Sequence, residues 1–183
     1  MLIKPILLKH LTTTLIGPHG ITDIIHANNT NNLPEISQTY GSVIGSTLLL
    51  SQGNMTPIVD IIFFIASIIH FRRDMPKIKS IPRYFWSTSL LLFTINYSPE
   101  LFIIYMLTVH VPHHYSINWE YMEQTPRFSV LLLVVTSTLM GIIGNSFEPG
   151  ENMNLIITIT KGIVLSHIAY EELYIFKNNV IEN

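Results

Sequence analysis

Apolar residues run through this chain in long stretches broken only by short polar punctuation, and that pattern limits the fold more than any other feature. The stretches cover residues 2–17, about 40–51, 57–71, 84–111, 128–147 and 154–176. The last two reach the roughly 20 residues that a helix needs to cross a bilayer core. The others are shorter. Residues 84–111 are interrupted by Ser98-Pro99-Glu100, which reads as an N-cap, a proline at the first helical position and an acid in the first turn of a new helix. Broken helices inside a membrane are tolerated where the backbone is buried in protein or lines a cavity. The sequence therefore predicts an all-α, multi-pass membrane helix bundle. It is expected to be a single integral membrane domain over residues 1–183, with six or seven membrane helices, some short or kinked.

Composition supports this expectation. Only 12% of residues are charged and 48% are hydrophobic, whereas an average soluble domain is about 25% charged. A net charge of −2 supplies no basic field for nucleic acid. There is no cysteine, which excludes disulfides, thiolate metal sites, iron–sulfur clusters and cysteine nucleophiles. The first stretch carries Lys4 and Lys9, lacks the small-residue cleavage site of a signal peptide, and ends at Gly17-Pro18. Arg72, Arg73, Lys77, Lys79 and Arg83 are five of the ten basic residues and fall in one short segment. The positive-inside rule assigns loop 72–83 to the cytoplasmic side. Trp86, Trp119 and tyrosines near segment ends read as interface anchors. Asp60 and Lys161 are charges inside apolar stretches with no partner evident from sequence.

The histidines carry the chemistry. His19, His70, His110, His114 and His167 lie in or beside separate apolar stretches, and ionisable groups in membrane segments are functional candidates by default. His19 is followed at i+4 by Asp23, His70 by Asp74 and His167 by Glu171, where chance gives about 0.5 such pairs for residues sharing a helix face. A metal-binding imidazole commonly donates its other N–H to a carboxylate, so the pattern points to Asp23, Asp74 and Glu171 as orienting groups behind metal ligands. His110 and His114 are also four apart, with Pro112 between them, which is expected to bend the turn. Without thiolates, imidazoles suit iron, copper, zinc or nickel, and open coordination positions suit a redox metal that binds O₂. His10 and His26 match no motif and read as structural.

The motifs resemble a known family. Gly17-Pro18-His19-Gly20-Ile21-Thr22-Asp23 is similar to the G-x-P-H-G-A-x-D signature of the Brp/Blh membrane β-carotene 15,15′-dioxygenases. Ile68-Ile69-His70-Phe71 followed by Asp74 resembles the family's second motif. Tyr97-Ser98-Pro99 and then His110-Val111-Pro112-His113-His114-Tyr115-Ser116 resemble the third, and Ser166-His167 with Glu171 and Glu172 the last. The four occur in the family's order over residues 17–172. Carried over, the resemblance implies Fe(2+) held by His19, His70, His110 and His114, with His167 a further ligand or site residue. It also implies O₂-dependent cleavage of β-carotene to retinal in an apolar tunnel, a lipid bilayer as surroundings, and a rhodopsin as recipient of the retinal. The chain departs from the pattern in lacking a residue between Gly17 and Pro18, in Arg72-Arg73 after Phe71, and in a shortened segment after Asp74.

Other readings of the same residues are a His-box di-iron desaturase or hydroxylase, a small membrane protein whose histidines bridge helices or carry protons, and a carotenoid- or retinal-binding protein that does not cleave. His110-x-x-His113-His114 is a literal H-x-x-H-H box, but the chain holds one such box where the desaturases need several. No phosphate loop or nucleophile elbow is present.

Overall fold

The computed structural model describes residues 17–52, 55–75, 80–96, 99–146 and 153–176. The first apolar stretch up to residue 16, with Lys4, Lys9 and His10, lies outside the described residues, as do Lys77, Lys79, Tyr97 and Ser98. A 3-10 turn Gly17–Ile21 leads into α1 (Thr22–Asn29). Then come α2 (Leu33–Gln52), α3 (Thr56–Phe71) with a 3-10 turn Arg72–Asp74, and α4 (Ser80–Asn96). α5 (Pro99–Tyr105) runs through a π-helical turn, Met106–His110, into α6 (Val111–Gln124). α7 (Pro126–Ser146) and α8 (Met153–Tyr170) follow, and α8 passes into a second π-helical turn, Glu171–Ile175. The expected all-helical class is what is found, with no strand among the described residues.

Local chemistry explains the boundaries. Proline opens α5 and α7 and lies in the first turn of α3 and α6, where its missing N–H costs no helical bond. Pro112 therefore sits harmlessly in the first turn of α6, and the backbone irregularity expected at it falls just before, in the π turn. Asn31 has φ 58°, a left-handed conformation that asparagine tolerates, and it separates α1 from α2. The Asn-rich segment 28–34 thus leaves only residues 30–32 between the two helices. Hydroxyls of Thr47, Ser67, Thr136, Thr160 and Ser166 bond back to carbonyls four residues earlier in their own helices, which satisfies them within apolar surfaces.

Among the described residues, no helix is long and apolar enough to cross a membrane. α3 is the most apolar, but its 16 residues extend only about 24 Å at 1.5 Å per residue, against a hydrocarbon core of about 30 Å. α7 has the length, yet Thr136, Ser137, Thr138 and Gly141 dilute it. α8 carries Lys161, Ser166 and His167. The expected spans over 128–147 and 154–176 fall short for these reasons.

The distribution of side chains is nonetheless unusual. Ile58, Ile61, Ile62 and Ile65 of α3 and Val130, Leu131, Val134, Val135 and Leu139 of α7 are exposed. Meanwhile Asp23, His70, Asp74, His110, His114, His167 and Glu171 are buried. One apolar cluster joins Phe71, Leu91, Ile103, Tyr105 and Met106, and a second joins Ala27, Ile36, Tyr170, Ile175 and Phe176. α2 packs closely on α8 at Gly162, where an added Cβ would come 3.2 Å from the Ile44 Cα. Asp60 and Lys161 pair with each other across α3 and α8, which supplies the partners that sequence did not. Arg73 forms a two-pronged ion pair with Glu172 and lies over the Phe176 ring. The basic segment is thus partly anchored, and residues 80–83 of it belong to α4.

Candidate metal centre

Five imidazoles gather from four stretches of chain, His110 and His114 belonging to one continuous helical run. His19 comes from the first 3-10 turn, His70 from the end of α3, His110 from the end of the π turn, His114 from α6 and His167 from α8. The His114 ring centroid lies 5.1 Å from those of His19, His70 and His167, and 4.3 Å from that of His110. His70 Nε2 and His110 Nε2 are 3.3 Å apart. Two nitrogens bound about 2.1 Å from one ion at tetrahedral or square angles would be about 2.9–3.4 Å apart, so this separation suits a shared metal. Gly20 lies beside His167, whose Nδ1 would sit at an ordinary contact distance of 3.5 Å from an added Cβ there. His113 is half-buried and turned aside, with its ring centroid 6.3 Å from that of His114.

Three buried carboxylates surround these rings, but the pairing differs from the i+4 spacing. Asp74 Oδ2 accepts from His110 Nδ1 at 2.9 Å rather than from His70, and also from the Tyr105 hydroxyl. Asp23 Oδ2 accepts from His167 Nδ1 at 2.9 Å and from the Tyr40 hydroxyl at 2.8 Å. Glu171 reaches furthest among the rings. Its Oε1 is 2.7 Å from His114 Nδ1, and its Oε2 is 3.4 Å from His70 Nδ1 and 3.8 Å from His167 Nε2. Helical spacing places side chains on a common face, but the packing of the helices decides which face meets which, so Asp74 and Asp23 serve imidazoles of other segments while Glu171 meets His114 and His70 as well as its i+4 partner His167. Burial pushes the Asp74 carboxyl up to about 7, against the lowering effect of the Tyr105 hydrogen bond.

Buried donors and acceptors normally find partners. Here Glu171 Oε1 and Oε2, His70 Nδ1, His114 Nδ1 and His167 Nε2 are buried without a hydrogen bond. Buried carboxylates are costly, and a divalent cation would offset Glu171 alongside the imidazoles that already approach it. His70, His114, His167 and Glu171 form one buried group able to hold a metal ion, and His19, His110 and His114 form an adjoining one. The residues present thus fit a metal. The donor set is nitrogen and oxygen only, which leaves iron, copper, zinc and nickel open.

A groove of about 410 Å³ runs between α2, α3 and α8, walled by Val43, Leu50, Val59, Ile62 and Leu165 and extending to Ile69, Ile168 and Glu172. Those last three are chain neighbours of His70, His167 and Glu171. His26 stands apart from the metal group, with Nδ1 3.1 Å from the Tyr170 hydroxyl, in keeping with a structural role.

Sequence reasoning missed Tyr40 and Tyr105, which lie 17 and 31 positions from the carboxylates they contact; no local spacing announces them. The chain matches no family model, no curated protein and no solved structure.

Proposed function

We propose that this chain is a membrane-embedded iron(II) oxygenase that cleaves the central double bond of β-carotene, or a related carotenoid, with O₂ to give two retinal molecules. One observation carries the reading: imidazoles from four segments gather around a point backed by three buried carboxylates. In this reading His19, His70, His110 and His114 hold the iron, as the motif resemblance implies, and His167 lies against it. Bound iron(II) supplies the binding and activation of O₂. The reaction balances without an external reductant, since one carbon–carbon double bond is broken and both oxygen atoms end in the two aldehydes. A desaturase would need two further electrons and more than one histidine box, and His113 stands aside from the cluster.

The chain's own residues supply position and exclusion. Asp74 and Asp23 hold His110 and His167 in one tautomer, with Nδ1 protonated and Nε2 directed inward. Phe71 packs on His110 with ring centroids 4.8 Å apart and keeps water from that side. The apolar groove beside α3 and α8 offers a surface for part of a polyene, which would hold its reacting bond near the centre. The exposed aliphatic faces of α3 and α7 suit contact with lipid, with the 72–83 segment on the cytoplasmic side and a rhodopsin as the acceptor of retinal.

The test is expression in cells that make β-carotene. Loss of colour with accumulation of retinal, abolished by His110→Ala, is expected. Persistent colour with well-expressed, metal-loaded protein would overturn the reaction.

A further inference from the structure

Three carboxylates border the metal centre, yet they are not equivalent. Asp23 and Asp74 share one arrangement. In each, a single oxygen accepts both an imidazole Nδ1 and a tyrosine hydroxyl. With two donors on that oxygen, each of these carboxylates holds an imidazole from behind, and only its other oxygen is buried without a hydrogen bond. Glu171 has no such arrangement. It is 1% exposed, and neither oxygen receives a hydrogen bond. Three imidazoles nevertheless approach it, with N···O separations of 2.7, 3.4 and 3.8 Å. Ligand atoms about 2.1 Å from one ion lie about 3.0 Å apart when adjacent and up to about 4.2 Å apart when opposite; the 3.4 and 3.8 Å separations fall within that range and the 2.7 Å one lies just below it.

The backbone supplies a second, independent observation. The π turn Glu171–Ile175 begins at Glu171, and the π turn Met106–His110 ends at His110. Single π turns recur at functional sites, because the extra residue rotates a side chain out of its α-helical register. Here both border the same centre.

We infer that Glu171 is itself a metal ligand, joining the histidine centre beside His114, the residue common to both potential ligand groups, while Asp23 and Asp74 orient imidazoles. The inference rests on the metal-centre reading and is independent of the carotenoid reaction. It reassigns Glu171 from the orienting role that its spacing from His167 suggests.

The test uses full-length protein in detergent, loaded with Co(II) under anaerobic conditions. Glu171→Gln is expected to change the Co(II) ligand-field spectrum and to weaken Co(II) binding by more than about 100-fold, beyond the 10–100-fold typical of losing an outer orienting partner. Glu171→Asp is expected to restore part of the spectrum. Asp23→Asn and Asp74→Asn are expected to weaken binding while leaving the spectrum unchanged in form. A second measurement needs no substitution: in wild-type protein with ¹³C-labelled glutamate carboxylates, adding Co(II) should shift a glutamate carboxylate band in the infrared difference spectrum. A wild-type spectrum in folded Glu171→Gln, or no shifted glutamate band, overturns the inference and leaves the histidine centre standing. Wild-type protein that takes up no Co(II) overturns both.

Discussion

Replacing Asp74 with asparagine removes a charge that the structure uses to hold His110. The carboxylate oxygen accepts His110 Nδ1–H at 2.9 Å and the Tyr105 hydroxyl in a buried setting. Above about pH 7, where Asp74 is ionised, a hydrogen bond to this charged acceptor contributes about 1.5–3 kcal/mol. The neutral amide can place its oxygen where Oδ2 accepts both donors, so what is lost is the charge, and its NH₂ group takes the place of the buried, unpartnered Oδ1. Loss of such an orienting partner lowers metal affinity by about 10–100-fold, or about 1.4–2.7 kcal/mol, and the two estimates overlap. Asp74→Asn is therefore expected to raise the dissociation constant for Fe(II) by about 10–100-fold. The measurement is anaerobic competition with a chromophoric chelator, with helical content followed by circular dichroism to show that the variant is folded. Tyr105→Phe removes one donor but keeps the Asp74–His110 contact, so its effect should be smaller. Unchanged affinity in folded Asp74→Asn, or a larger loss in Tyr105→Phe than in Asp74→Asn, would refute the reasoning.

The remaining predictions separate site from scaffold. Tyr170→Phe leaves the buried His26 Nδ1 without its partner and should destabilise the fold by about 1–3 kcal/mol, read as a lower denaturation midpoint with metal stoichiometry unchanged. Gly162→Leu forces a side chain against the Ile44 backbone and should cost about 1–3 kcal/mol by overpacking, seen in thermal unfolding. His114→Ala removes the ring that neighbours the other four imidazoles, and metal analysis of the purified variant should show metal content falling to background. Gly20→Ala meets His167 only at ordinary contact distance, and equilibrium titration should find metal affinity within about threefold of wild type, since substitutions without a clash or lost bond have small effects.

The helical character of the chain was readable because apolar runs and proline positions are local signals. Pro99, Pro112 and Pro126 mark first turns wherever they occur in the described helices. The exact lengths were less readable. The run over 57–71 is apolar throughout, yet α3 ends at Phe71 before it can match a bilayer core. His19, His70, His110, His114 and His167 stand out in the sequence because polar groups are rare in such stretches, and the structure brings their rings together. Their acids also stand out, but the spacing suggested His70 with Asp74 and His19 with Asp23. The fold instead directs Asp74 to His110 and Asp23 to His167. That exchange depends on how helices cross, a non-local property that i+4 counting does not contain. Tyr40 and Tyr105 were invisible for the same reason, and the π turns at His110 and Glu171 have no composition signal.

The most direct measurement is X-ray absorption at the metal edge of anaerobically purified, iron-supplemented protein, combined with metal analysis. A single iron per chain, with nitrogen and oxygen neighbours about 2.1 Å away and outer-shell scattering from several imidazoles, is the expected result. Protein that retains its helical content but yields no bound metal, or iron surrounded by water oxygens without imidazole scattering, would contradict the account.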